Sequence, residues 1–140
     1  MKTVKVIFGR NNLPFSWIIR LFTWSRWSHC GVIDSTGVNV IEATAKHGVA
    51  VSTLSGFKHR YKKHAIVELP VLNGVDAHSL LRQEIGKSYD WLAIISLVVK
   101  RDWEQPDKWF CSELIAHAIG IFRRDRVGRI TPEDLWRISR

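Results

Sequence analysis

Three side chains have the chemistry needed for acyl transfer, and each stands in a stretch with a definite structural preference. Cys111 lies in Trp109-Phe110-Cys111-Ser112-Glu113-Leu114-Ile115-Ala116-His117-Ala118. Leu114, Ile115, Ala118, Ile119 and Phe122 recur there at helical spacing, and Pro106 and Asp107 mark the end of a loop and an N-cap. The pattern predicts Cys111 in or near the first turn of a helix, where unsatisfied amides and the helix dipole favour the nucleophilic thiolate over the thiol. His29, in Ser28-His29-Cys30-Gly31-Val32-Ile33, can accept a proton and return it, and Glu42, in Val40-Ile41-Glu42-Ala43, can orient an imidazole. A thiolate, a base that later protonates the leaving group, and a third group that holds the base are what a cysteine hydrolase requires. Each residue also has a plainer reading: a helix cysteine as a small inert hydrophobe, a strand histidine as a satisfied core residue, a strand glutamate as a salt-bridge partner.

The elements that must position these residues follow from periodicity. A strand is predicted over residues 3–8, ended by Gly9 and the Asn11-Asn12 pair, then a helix from Pro14 through Phe15, Ile18, Ile19 and Phe22 to about Trp24 and Ser25. Residues 28–33 and 38–43 form a hairpin about the turn Asp34-Ser35-Thr36-Gly37. Two further strands are predicted over residues 48–52 and 65–69, the second ended by Pro70. From Asp76 the pattern turns helical, with Ala77, Leu80, Leu81 and Ile85 leading to a stop at Gly86. A helix over residues 91–100 and a short one from Thr131-Pro132-Glu133-Asp134 through Ile138 complete the chain. Strands first and helices after is the order of an α+β domain, here a small antiparallel sheet of about five strands packed against helices.

Within the hairpin, side chains alternate faces, so the loop decides the partners of His29. A two-residue loop (Ser35, Thr36) or a four-residue loop (34–37) sets His29 opposite Glu42 on one face. A three-residue loop with left-handed Gly37 sets Glu42 on the face of Cys30 instead. Both registers are open from the sequence.

Size and composition agree with one domain over residues 1–140, 46% hydrophobic and 24% charged, without repeats or a low-complexity linker. The net charge of +8, from 21 Lys and Arg against 13 Asp and Glu, favours a polyanionic partner. Acidic wall peptide, anionic lipid and nucleic acid all qualify, but no nucleic-acid motif accompanies the basic clusters, which leaves that partner a minor alternative. Cys30 and Cys111 form no CxxC pair and imply neither a metal site nor a disulfide framework. No cofactor is expected. Residues 1–8 lack the pattern of a secretory signal, and the apolar run 91–99 is shorter than the roughly 20 residues a bilayer span needs, so a protein of the cytoplasm is expected.

The stretches around His29, Glu42 and Cys111, together with Gly86-Lys87-Ser88-Tyr89-Asp90, resemble the permuted NlpC-type cysteine hydrolases, a branch of the papain-like superfamily. In ordinary members the cysteine helix precedes the histidine strand. Here His29 and Glu42 precede Cys111, as in the permuted branch. The resemblance implies a Cys, His and polar third residue in one cleft, a thioester intermediate, and a peptidase or amidase acting on cell-wall-type peptides. Its alternatives are an acyltransferase or lipid esterase of the lecithin retinol acyltransferase kind, or a basic binding module that has lost catalysis.

Other residues compete for these roles. Cys30 alternates with His29 along the strand and reads as a core thiol. His117 lies more than a turn beyond Cys111 on its helix, out of easy reach of the sulfur, whereas His47 is a stronger rival for the base. By the same resemblance Tyr89 lies near the substrate cleft, although a core tyrosine is an equal reading. Ser112 and Glu113 are expected to support the helix start, and the backbone amide of Cys111 to serve as one oxyanion donor.

Overall fold

The computed structural model of the protein describes residues 2–11, 26–44, 47–89, 108–109, 111–120 and 130–139, the side chains of 88, 89, 108, 109 and 113 excepted. The helices expected over residues 14–25 and 91–100 lie outside the described residues. Five strands, β1 (Thr3–Arg10), β2 (His29–Ile33), β3 (Asn39–Thr44), β4 (Gly48–Thr53) and β5 (Lys63–Pro70), form one antiparallel sheet in the order β4-β3-β2-β1-β5. Four helices flank it among the described residues: α1 (Leu54–Arg60), α2 (Ala77–Glu84), α3 (Cys111–Ile119) and α4 (Pro132–Ile138). A two-residue parallel pair, β6 (Ser88–Tyr89) with β7 (Lys108–Trp109), leads into α3. The class is α+β, as the order of the sequence patterns predicts. No helix among the described residues is long and apolar enough to cross a membrane.

The sheet is covered on both faces. On one, Val6, Phe8, Cys30, Val32, Ile41 and Ala43 meet Leu114, Ile115, Ala118 and Ile119 of α3, with Leu81 of α2 and Leu135 of α4. Each large aliphatic side chain so removed from water contributes about 1.5–3 kcal/mol. On the other face Ile7, Ile33 and Val40 pack on Phe57 of α1. Helix starts follow their caps: Asp76 accepts the Ser79 amide at 3.1 Å, and Thr131 and Asp134 form a reciprocal capping box ahead of Pro132. The sequence reading contains no counterpart of α1. Its seven residues bury one side chain, Phe57, and include Gly56, so no apolar stripe announces it; the Thr53 side chain, which accepts the Gly56 amide at 3.0 Å, is its one local signal.

The hairpin takes neither of the registers offered by the sequence. The Asp34 carboxylate accepts the Thr36 amide at 3.1 Å and the Asp34 amide donates to the Asn39 carbonyl at 2.9 Å, so Asp34 ends the strand and residues 35–38 make the connection, with Gly37 at φ 77. Val32 then pairs with Ile41 and Ile33 with Val40. This shift of two residues preserves the faces. His29 and Glu42 still share one side of the sheet, but Glu42 falls opposite Gly31 and reaches His29 diagonally.

Two glycines clear that face around His29. A Cβ at Gly31 would stand 2.5 Å from Val40 Cγ1 and 3.2 Å from Glu42 Cβ, and one at Gly9, which pairs with His29, would stand 2.7 Å from Tyr61 Cβ. Gly9 therefore continues β1, where the sequence suggests a stop. Replacement Gly31→Ala is expected to destabilise the fold by about 1–3 kcal/mol, the usual cost of overpacking, which urea unfolding would measure as a lower midpoint with an unchanged slope.

Candidate active site

Cys111 is the first residue of α3, so its sulfur sits where the orphan amides and positive dipole end of the helix are concentrated. Ser112 is fully buried and its hydroxyl donates to the Ile130 carbonyl at 2.5 Å, tying this helix start to the residue before the Thr131 cap. The structural role expected of Ser112 is thus met. The side chain of Glu113 lies outside the described residues.

The sulfur is on the α3 side of the sheet and the His29 ring on the α1 side, so the sheet must let them meet. It does so because β2 and β3 pair only at Val32 with Ile41 and Ile33 with Val40. Bonds in an antiparallel ladder recur at every second residue, so continuation of the Asp34-to-Asn39 bond would send the Cys30 amide to the Ala43 carbonyl. The strands part before that point. The Cys30 amide, the Cys30 thiol and the His29 ring instead lie close enough to the Cys111 sulfur to lower the pKa of its thiol. Cys30, expected as a core thiol, is fully buried in the core and lies beside Cys111 as well.

His29 is held by two aromatic rings that lie side by side, 4.9 Å apart, and by the charge of Glu42. Its ring stacks at 21° on Phe57 and Tyr61, with centroids 5.6 and 5.2 Å away. Nε2 stands 3.5 Å from Glu42 Oε2, an electrostatic contact rather than a formed hydrogen bond, since both atoms are buried without a hydrogen-bond partner. Glu42, 2% exposed, is held from its other oxygen by Arg60 of α1, with Nη2 to Oε1 at 2.5 Å. The result is a chain of alternating charge: Cys111, His29, Glu42, Arg60.

Electrostatics follow from that alternation. Burial alone would raise the Cys111 thiol, but the hydrogen bonds from the Cys30 thiol and His29, the imidazolium charge and the Cys30 amide outweigh it and bring the group down to about 5. Burial opposes the charged form of His29, yet Tyr61, Cys111 and Glu42 together hold it well above 6.5. Glu42 is likewise pushed up by burial and drawn below 4.5 by His29 and Arg60. Cys30 goes the other way, raised by burial and by the neighbouring Cys111. These directions favour the thiolate of Cys111 beside the imidazolium of His29, and the protonated form of Cys30.

The rivals are placed elsewhere. His47 is exposed on the connection of β3 to β4, its amide bonded to Thr44 Oγ1 at 3.1 Å. His117 Nε2 faces Glu84 Oε1 at 3.9 Å. Tyr89 pairs through its backbone with Trp109, and its side chain lies outside the described residues. Arg60 is the site residue that sequence reasoning missed: it sits in the basic run 58–63, and nothing there separates it from its solvated neighbours.

No protein-family profile matches the chain, and no curated protein does. Among solved structures, the fold is similar to that of the metalloprotein yiiX from Escherichia coli O157:H7, with a TM-score of 0.62 and 23% identity, covering 86% of this chain and 67% of that one. The likeness is one of fold. Among the described residues here, no group of three His, Cys, Asp or Glu side chains is arranged to hold a metal ion.

Alkylation of Cys111 by iodoacetamide should rise with pH through about 5, where its thiol ionises, and be near its plateau at pH 7, where a free thiol of pKa about 8.5 is only about 3% thiolate. His29→Ala removes a cation and one hydrogen bond but leaves the Cys30 amide and the helix start, so the profile should move to higher pH without reaching that of a free thiol. A wild-type profile centred near 9 and unmoved by His29→Ala would show that no ion pair forms.

Proposed function

We propose that this protein is a cysteine hydrolase that attacks an amide or ester acyl carbon through a thioester, in a circularly permuted papain-like (NlpC-type) domain. The observation that carries the reading is the run from the buried Cys111 through His29 and Glu42 to the half-exposed Arg60, with Glu42 held 3.5 Å from His29 and 2.5 Å from Arg60 and the Cys111 thiol pKa lowered beside His29. A structural ion pair needs no helix-terminal thiolate, and a core cysteine needs no imidazolium. Similarity of fold to yiiX is compatible with this reading and does not carry it.

In the proposed reaction the Cys111 thiolate adds to the acyl carbon, and the carbonyl oxygen takes up negative charge beside the amide of Cys111 at the start of α3. As the tetrahedral adduct collapses, the His29 imidazolium gives a proton to the leaving amine or alcohol, which departs and leaves the thioester. His29, now neutral, takes a proton from water as the water oxygen adds to the thioester carbon. Collapse expels the thiolate and releases the acid, with the imidazolium restored. Glu42 holds the ring at Nε2 and favours its charged form, and Arg60 keeps Glu42 ionised and in place. If another nucleophile replaces water, the same machinery becomes an acyltransferase. As substrate class we propose amides of acidic, cell-wall-type peptides, in keeping with the net charge of +8.

With p-nitrophenyl acetate as an activated ester probe, Cys111→Ala should lose essentially all protein-dependent turnover, about 10⁴-fold or more, and His29→Ala nearly as much. Glu42→Gln should cost less, about 10–100-fold, because an amide keeps a contact to Nε2 and only the charge is lost. Undiminished turnover in Cys111→Ala would overturn the nucleophile assignment, and Cys30→Ala would be tested next.

A further inference from the structure

The chain has two cysteines, and both are free, buried and part of one core cluster at the start of α3. Cys30 stands on the α3 side of β2, and α3 packs directly on that strand, which sets the two side chains beside each other. Burial raises both thiols; Cys30 then helps to draw Cys111 down, and Cys111 pushes Cys30 further up. The acyl chemistry proposed above gives Cys30 no step of its own.

Nearness and unlike ionisation are what divide a pair of cysteines into an attacking sulfur and a resolving one. A thiolate reacts with a peroxide and a thiol scarcely does, so Cys111 is oxidised first while Cys30 is kept as the thiol. Hydrogen peroxide is small and uncharged, which suits a sulfur of a residue only 1% exposed. Cys30 also has some freedom to move. On one edge it pairs with Phe8 of β1, but on the other the pairs of β2 with β3 stop at Val32 and Ile41, so no ladder bond to Ala43 fixes it. Closing two neighbouring sulfurs to the roughly 2.05 Å of a disulfide then asks for a shift of one short strand segment.

We infer that Cys111 and Cys30 are an oxidative modification site, forming a reversible disulfide with hydrogen peroxide in which Cys111 is the sulfur oxidised and Cys30 the resolving thiol. The disulfide needs only the two cysteines, whereas its effect, to switch the site off, rests on the cysteine hydrolase reading. In the first step the Cys111 sulfur bonds to one peroxide oxygen and the O–O bond breaks. The leaving hydroxide takes a proton from the His29 imidazolium, giving water and the sulfenic acid of Cys111. In the second step the Cys30 sulfur bonds to the Cys111 sulfur, the S–O bond breaks, and the hydroxyl leaves with the Cys30 proton as a second water. The two thiols give up two electrons and two protons, which peroxide takes up as two waters. A dithiol reductant reverses the change by exchange. While the sulfurs are joined, Cys111 is kept from the irreversible sulfinic and sulfonic acids.

The test treats the whole protein, at low concentration, with a small excess of hydrogen peroxide, blocks the remaining thiols with iodoacetamide in denaturant, and reads tryptic digests by mass without reductant. Wild type should yield residues 27–46 joined to residues 109–123 by one disulfide, with no covalent dimer on a non-reducing denaturing gel. Turnover of p-nitrophenyl acetate should fall in proportion to the joined fraction, to essentially nothing when joining is complete, and dithiothreitol should restore it. In Cys30→Ala, Cys111 should instead gain two or three oxygens, and the loss of turnover should resist dithiothreitol. Treated wild type in which Cys111 stays a thiol, or gains oxygens without joining Cys30, overturns the disulfide. The wild-type digest decides this by itself, whether or not Cys30→Ala folds. Joined peptide from a protein that, when reduced, never turns over the ester supports the disulfide and counts against the hydrolase reading alone.

Discussion

A carboxylate buried to 2% exposure is the constraint around which the site is arranged. An ionised group removed from water costs several kcal/mol unless opposite charge meets it, and Glu42 is met on both sides, by His29 at 3.5 Å and by Arg60 at 2.5 Å. Much of the local structure follows from that need. Arg60 reaches Glu42 because α1 lies across the second face of the sheet, and α1 holds there through Phe57 and Tyr61, whose rings also pack against His29. Gly9 and Gly31 leave the space that those rings and the glutamate stem occupy.

The thiol depends on a second local feature, the early separation of β2 from β3. A fully zipped hairpin would put a ladder bond where the Cys30 amide lies beside the Cys111 sulfur, and would divide Cys111 from His29 by a closed sheet. Because the strands part after Val32 and Ile41, the start of α3 can approach from one side and His29 from the other. The sulfur thereby gains an ordered set of donors in a dry setting, which is what a low thiol pKa and a stabilised imidazolium both require.

Much of this was legible in the residue order. Strand and helix periods place β1 to β5 and three of the four described helices, Thr131 and Asp76 announce their caps, and the parity of the hairpin puts His29 and Glu42 on one face whichever even-numbered loop forms. The exact register was not legible, because it turns on the Asp34 side chain capturing the Thr36 amide, a local bond that no hydrophobic pattern encodes. Helix α1 was hidden by its single buried residue, and Arg60 with it, since its partner lies 18 residues away and its basic neighbours are solvated. The contact of Cys30 with Cys111 was hidden for a related reason: alternation along β2 separates Cys30 from His29, and only a break in the sheet brings both to one sulfur.

The central claim is that thiolate and imidazolium coexist at neutral pH. It is tested most directly by the ¹⁵N chemical shifts of the His29 ring at pH 7.5, assigned by comparison with His29→Ala. Both nitrogens should appear protonated in the wild-type protein, and Cys111→Ala, which deletes the thiolate, should shift the ring toward its neutral form. A single protonated nitrogen in the wild type, unchanged by Cys111→Ala, would contradict the account and leave Cys111 an ordinary buried thiol.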